Sequence, residues 1–422
     1  MLGAVRHAFK LEDLRRRILF TFAMFLVYRL GVHIPVPGLN PRVIEDLIKS
    51  GTIFGLLDIF SGGALRYFSI FAMSITPYIN ASIIMQLLTI VVPKIEQWAK
   101  EGEEGRKKIT QWTRYGTVIL GLIQAVGMTF FIERNRPDAV LHPGFWSDFV
   151  IVVSLTAGTT FLMWIGEQIT EHGIGNGISL LIFAGIVSRL PAGFGTMLQY
   201  LQGGVINVVN VGILAVIGVL VIAGVVVVQQ GQRRIPVQYA KRVVGRRMYG
   251  GRSTHIPIRV NTAGVIPVIF AASLLALPQT IGQFLPYHWV QSAMAFFRFG
   301  GFWYEFVYFW LIVAFTFFYT AIVFNPMDVS DNIRKYGGFI PGIRPGRPTA
   351  EYLQKVLLRI TLLGAVFLGL VAVLPPIVGA ATGIPNIYFG GTALLIVVGV
   401  ALETMMQIES QLLMRQYQGF LK

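Results

Sequence analysis

Residues 54–93, FGLLDIFSGGALRYFSIFAMSITPYINASIIMQLLTIVVP, form an apolar stretch that is too long to be one membrane helix. A bilayer core needs about 20 helical residues, and this stretch has about twice that number. Asp58, Gly62, Gly63 and Arg66 interrupt its first third. Each charge at mid-membrane would cost roughly 2.5–3.5 kcal/mol. We therefore expect a first part that does not span, followed by a charge-free membrane helix over residues 70–92.

Isoleucines recur every four residues in this second part, at Ile75, Ile79 and Ile83. Their spacing places three β-branched side chains on one helix face around Pro77. Two interpretations are open at this point. Either the face lines a pore that the preceding short segment plugs, or that segment is a re-entrant turn and the isoleucines face lipid.

The composition predicts a polytopic membrane protein. Hydrophobic residues make up 54% of the 422-residue chain and charged residues only 13%, with a mean hydropathy of +0.65. A soluble chain of this size would have too little polar surface to cover itself, which excludes a soluble enzyme. The chain has no cysteine, which excludes disulfides, thiolate metal sites and thiol catalysis.

Ten apolar segments predict ten membrane spans, so both termini should lie on the same side of the membrane. Most of the 35 lysines and arginines lie before the first span, after the second, sixth and eighth spans, and in the tail. Because basic residues are retained on the cytoplasmic side, we expect both termini to be cytoplasmic in a cell inner membrane. The predicted spans cover residues 18–32, 70–92, 116–132, 149–165, 174–190, 205–228, 262–281, 303–324, 356–378 and 391–406.

The spans divide into two groups of five, residues 1–190 and 191–422. The second span of each group contains a proline in its apolar run, Pro77 in one and Pro267 in the other. Matching interrupted helices in two halves are typical of inverted repeats around a central site. The expected fold is therefore all-α, with two inverted five-helix halves around a central site.

Two cytoplasmic loops, at about 229–261 and 325–355, have features beyond what topology requires. The first alternates apolar and basic residues between glycines and prolines, which predicts a projecting hairpin. The second is rich in glycine and proline and presents Arg344. Such a surface suits an acidic protein or an RNA backbone, although anionic lipid headgroups are an open alternative. The candidate partner-binding residues are Arg233, Arg234, Lys241, Arg246, Arg247 and Arg344.

Several long motifs resemble those of the SecY family of protein-conducting channels. They are GEQITEHGIGNGISLLIFAGIV (166–187), GQRRIPVQYAKR (231–242), GRRMYGG (245–251), STHIPIRVN (253–261), AGVIPVIFA (263–271), FNPMDVSDNIRKYGGFIPGIRPG (324–346) and FGGTALLIVV (389–398). The resemblance covers nearly the whole chain in the right order. It implies an hourglass pore closed by an isoleucine ring and a plug at about residues 54–67, with a lateral gate between the second and seventh spans.

The resemblance also implies particular residues and partners. The gate contains Gln86, which either pairs with a polar neighbour such as Asn261 or is a lone amide whose hydrogen bonds are satisfied elsewhere. Expected partners are SecE-like and SecG-like small membrane subunits, a SecA-type motor ATPase or a ribosome, unfolded preproteins with signal sequences, and membrane lipid. The implied pore ring comprises Ile75, Ile79, Ile178, Ile182, Ile269 and Ile396, and the implied plug comprises Leu57, Asp58, Ile59, Phe60, Ser61, Gly62, Gly63, Ala64 and Leu65.

Other function classes fit less well. An intramembrane protease would need a base near Ser179, but His255 and His288 lie in predicted loops, and there is no HExxH motif. A secondary transporter with inverted repeats is the stronger alternative, yet the central helices supply amides and hydroxyls and no acid. No phosphate-binding GxxxxGK[ST] loop occurs. We expect a passive pore, without enzymatic activity, cofactor or metal.

Overall fold

Helices make up most of the computed structural model, which describes residues 11–40, 43, 58, 61–204, 206–239, 242–244, 247–249, 253–284, 300–382 and 391–419. Ten of the described helices each coincide with one predicted span. The helices are α1 (Glu12–Gly31), α2 (Thr76–Val91), α3 (Pro93–Lys100), α4 (Glu103–Asn135), α5 (Phe145–His172), α6 (Gly177–Gln202), α7 (Val208–Gln230), α8 (Ile266–Phe284), α9 (Phe302–Val323), α10 (Pro326–Lys335), α11 (Arg347–Thr382) and α12 (Gly391–Gly419).

The helices confirm a multi-pass membrane protein. Within the described part of the chain, seven helices are long and apolar enough to cross a bilayer. A further candidate is α2 together with α3, two helices that meet at an angle of 100°. The apolar part of α8, Ile266–Pro278, is shorter, and α1 begins with the charged sequence EDLRRR. The count of ten spans therefore stays a prediction.

The two prolines do not interrupt helices, so that part of the sequence prediction was wrong. Pro77 lies in the first turn of α2, and Pro267 is the second residue of α8. Proline is favoured there because the first-turn N–H groups have no intrahelical acceptor and the fixed φ suits a helix. The residues before α2, from 61 to 75, form turns and one isolated bridge between Ser69 and Pro35. The two prolines nevertheless occupy matching positions, because each is the second residue of its helix.

Helices from the two predicted halves contact each other along two seams. On one side α8 packs against α2 and α4, and on the other α12 packs against α6. Within the first half, α5 contacts α1, α4 and α6; within the second, α9 and α12 both contact α11. The largest apolar core draws buried side chains from both halves.

The first long loop forms the predicted hairpin. Strand β1 (Gln232–Tyr239) pairs antiparallel with β4 (Ser253–Arg259), and a short hairpin of β2 (Arg242–Val244) and β3 (Arg247–Tyr249) lies between them. Strand β5 (Gly338–Phe339), from the second loop, joins the free edge of β1. The two loops therefore share one sheet.

Candidate functional site

Five of the six predicted ring isoleucines are buried in the largest core. Ile75 and Ile79 come from α2 and the residue before it, Ile182 from α6, Ile269 from α8 and Ile396 from α12. Ile79 has only 6% of its surface exposed. These five side chains do not face lipid, so the interpretation of a lipid-facing isoleucine stripe is wrong for them. Both halves of the chain supply side chains to this core.

Ile178 differs from the other five. It is half-buried in the first turn of α6, where the Oδ1 of Asn176 accepts hydrogen bonds from the N–H groups of Ile178 (3.1 Å) and Ser179 (3.2 Å). A Cβ atom at Gly166 would lie 2.6 Å from the Cδ1 of Ile178. The end of the Ile178 side chain therefore packs on α5, although the residue also lies against the large core.

The described plug residues are all buried. They are Asp58, Ser61, Gly62, Gly63, Ala64 and Leu65. Leu57, Ile59 and Phe60 lie outside the described residues. The carboxylate of Asp58 forms an ion pair with Arg189 on α6, and its Oδ1 accepts a hydrogen bond from the N–H of Arg66 at 2.8 Å.

Residues of α1 hold the same segment from a second side. The hydroxyl of Tyr28 donates to the carbonyl of Ser61, and the guanidinium of Arg29 donates to the carbonyl of Gly62, both at 2.9 Å. Gly62 has a φ of +67°, and a Cβ there would lie 2.9 Å from the Cα of Gly185 on α6. Only glycine fits both this left-handed conformation and this close approach.

Arg189 was not among the functional candidates predicted from the sequence. A lone arginine inside a predicted span is a signal that was available, because ionisable residues within membrane segments usually pair with another group. Glu305, a buried carboxylate in the first turn of α9, was not predicted either. Neither residue is on the helices that carry the predicted gate.

The predicted pairing of Gln86 with Asn261 was wrong. The Nδ2 of Asn261 donates to the carbonyl of Gly264 at 2.9 Å, which closes the turn that leads into α8. The Oε1 of Gln86 and the Oδ1 of Asn261 are both buried, and neither has a hydrogen-bond partner in the described part of the chain. The helices α2 and α8 nevertheless contact each other, as the gate prediction requires.

The two long loops form one surface, which we call the basic platform: residues 232–239, 253–259 and 326–357. Its interior is an apolar cluster to which β1, β4, α10 and the start of α11 contribute, comprising Ile235, Val237, Ile258, Ile333, Ile340, Leu353 and Leu357. Arg233, Arg234 and Arg344 are exposed on it. Arg247 pairs through its backbone with Val244, whereas Lys241 and Arg246 lie outside the described residues.

The described residues contain no group of three or more histidine, cysteine, aspartate or glutamate side chains that could hold a metal ion. The features that stand out are an apolar core between two halves, a buried segment against that core, and a basic platform.

Comparisons with known proteins agree with this arrangement. Residues 69–405 match the SecY family model. The protein translocase subunit SecY of Halalkalibacterium halodurans is 49% identical over 434 residues and that of Thermotoga maritima is 46% identical over 431 residues; both alignments cover all of this chain, and they cover 100% and 98% of the relatives.

Solved structures share the fold. "The structure of a protein conducting channel" aligns with a TM-score of 0.66 at 19% identity, and the Sec61 chain of a canine ribosome–channel complex aligns with a TM-score of 0.63 at 18% identity. Each alignment covers 94% of this chain and 92% of the other. With relatives near half identity over its full length, the chain belongs to the SecY family of protein translocase subunits.

Proposed function

We propose that this chain forms a passive channel through which unfolded polypeptides cross the membrane. The observation that carries the proposal is the core of isoleucines drawn from α2, α6, α8 and α12, because it is apolar and lies between the two halves. A translocating chain presents every kind of side chain in turn. A constriction of flexible apolar groups can adapt to such a chain without binding it specifically.

The same apolar constriction accounts for the seal. A hydrated ion cannot enter a narrow apolar neck from which water withdraws. We assign this role to Ile75, Ile79, Ile182, Ile269 and Ile396, with Ile178 at the edge of the group. The buried plug segment supports the seal from one end.

The seam between α2 and α8 is the proposed lateral exit. A signal segment with ten leucine-like residues gains roughly 3–6 kcal/mol on entering lipid, at about 0.3–0.6 kcal/mol for each residue. Gln86 lies on α2 and Asn261 just before α8, and each buries an oxygen without a partner in the described residues. Unpaired buried oxygens weaken the closed seam, so its opening costs less.

The energy for transport must come from a partner. The relatives are named protein translocase subunits, and one similar structure is a ribosome–channel complex. We propose that a SecA-type ATPase or a ribosome docks on the basic platform through Arg233, Arg234 and Arg344, with Lys241, Arg246 and Arg247 at its tip. SecE-like and SecG-like subunits would complete the complex in the inner membrane, with both termini cytoplasmic.

We further propose that the two halves, predicted at residues 1–190 and 191–422, move as two bodies that divide at the end of α6, because this helix continues through residue 190 to Gln202. The two seams support this division: α12 against α6 would serve as the hinge, and α2 against α8 would open. Opening the seam between α2 and α8 alone widens the constriction and exposes it to lipid in a single motion.

The test is transport into proteoliposomes that contain the chain and the subunits that copurify with it. With a motor ATPase and ATP, an unfolded preprotein bearing a signal segment should become resistant to added protease, and omission of ATP should abolish the protection. Ion-driven uptake of small solutes without preprotein protection would favour the secondary transporter instead.

A further inference from the structure

We infer that an electrostatic latch, formed by Asp58, Arg189, Arg29 and Tyr28, holds the plug and sets the ease with which the channel opens. The inference rests on the proposed function, because it assigns a role in gating to the buried segment. It adds the groups that regulate that gate: one carboxylate on the plug, and cationic and hydroxyl groups on two different helices.

Burial gives the ion pair its importance. Asp58 has 2% of its surface exposed, and the Arg189 side chain has 22% exposed. A buried carboxylate that loses a cationic partner is strongly destabilised, because water does not replace the lost interaction. Arg189 and the exposed Arg29 can still reach water. The two members of the pair are therefore unequal, and loss of Arg189 is the more harmful change.

The latch lies on one side of the isoleucine core. Arg189 follows Ile182 on α6 by seven residues, which corresponds to about 10 Å along the helix axis. It lies at the middle of α6 and is farther than Ile182 from the turn at Gly173, where α5 and α6 connect. The plug is consequently held against the core from the side opposite to the start of α6.

The latch depends on the relative position of two helices. Tyr28 and Arg29 bind carbonyl groups of the plug from α1, while Arg189 binds its carboxylate from α6. Arg29 also donates to the hydroxyl of Ser188 on α6 at 3.4 Å, which links the two helices directly. If α1 and α6 separate, these contacts cannot all persist. All of these groups lie in residues 1–190, so opening the seam between α2 and α8 does not by itself break the latch, and the plug leaves only when a shift of α1 relative to α6 breaks these contacts.

A single-cysteine reporter tests the latch in the assembled complex. The chain contains no cysteine, and Ser61 is almost fully buried, so Ser61→Cys places one nearly isosteric thiol in the docked plug. A membrane-impermeant maleimide, added from the plug side, should label it slowly. In the reporter background, Arg189→Gln should accelerate labelling by about tenfold or more, and Asp58→Asn by less. Arg189→Lys should label at nearly the parent rate.

The double variant separates a latch from a packing effect. Combining Asp58→Asn with Arg189→Gln removes both charges, so labelling should be slower than with Arg189→Gln alone. Arg136→Gln, a change of an exposed arginine just after α4, should have no effect. The latch is refuted if the reporter cysteine in Arg189→Gln is labelled at the parent rate. It is refuted also if the cysteine in the double variant is labelled faster than in both single variants.

The labelling assay reports plug docking whether or not the channel conducts. Preprotein protection, measured on the unmodified complex, reports the proposed function separately. Normal transport combined with parent-rate labelling of Arg189→Gln would remove the latch and leave the function intact. A charge-dependent change in labelling without any preprotein transport would instead overturn the proposed function while leaving the contact itself in place.

Discussion

Replacing Ile79 with asparagine should make the closed channel leak ions. Ile79 has 6% of its surface exposed, within the apolar core on α2. Removing an almost fully buried isoleucine side chain forfeits about 1.5–3 kcal/mol of apolar burial. The side-chain amide that the substitution introduces would lie among apolar side chains, and burying an amide without a hydrogen-bond partner costs about 1–3 kcal/mol.

These terms act mainly on the closed state, because an open, hydrated pore solvates the amide. Together they amount to roughly 2.5–6 kcal/mol, and 1.4 kcal/mol corresponds to a factor of ten. The closed-to-open ratio should therefore fall by roughly two to four orders of magnitude. Conductance of the purified complex in planar bilayers, measured without substrate, gives the resting leak.

Ile84→Asn is the matched control. Ile84 lies on the same helix with 43% of its surface exposed, so the substitution changes the same atoms outside the core. Ile83 is unsuitable as a control because it is buried as deeply as Ile79. The assignment of Ile79 to the seal fails if the resting conductance of the assembled Ile79→Asn complex equals that of the parent. It fails also if Ile84→Asn raises the resting conductance equally.

Three further predictions follow from the exposed and the close-packed residues. Arg344→Glu on the basic platform should weaken ATPase or ribosome binding, with a smaller effect at high salt because charges are screened beyond about 8 Å at 0.15 M; unchanged binding in pull-downs would contradict it. In single-cysteine labelling, an impermeant reagent should reach Lys107→Cys only from the cytoplasm and Leu141→Cys only from outside, and the reverse pattern would invert the topology. Gly158→Ala should lower the thermal midpoint by the equivalent of about 1–3 kcal/mol, since its Cβ would lie 1.9 Å from the carbonyl oxygen of Ile70, whereas Gly218→Ala, which meets nothing within 4 Å, should not.

Hydropathy and alternation were sufficient to predict the elements that depend on local pattern. Each predicted span contains a helix, and the apolar-basic alternation of residues 232–259 correctly indicated paired strands. The four-residue isoleucine spacing at the start of α2 placed Ile75, Ile79 and Ile83 on one face, but it left open whether this face was buried or faced lipid, and the structure shows it buried. In these segments the spacing of apolar residues along the sequence follows the period of the helix or strand, so the sequence alone predicts the element.

Features that depend on distant partners could not be predicted in this way. Asp58 and Arg189 are far apart in the chain, and no local pattern shows that an aspartate in a turn meets an arginine in a helix. Asn261 was expected to pair across the seam, but the nearer carbonyl of Gly264 takes its amide. Pro77 was taken as an interruption because sequence does not show where a helix begins within an apolar run.

Helix α11 gives the basic platform a mechanical role. Its 36 residues extend over about 54 Å, whereas a hydrocarbon core is about 30 Å thick. Leu353 and Leu357, near its start, are fixed in the platform interior, and farther along it packs against α9 and α12. The platform and the helices of the second half are thus connected through one continuous helix. Force or torque that a partner applies to the platform reaches the second half directly, and reaches the first half across the seams and along the chain between α6 and α7.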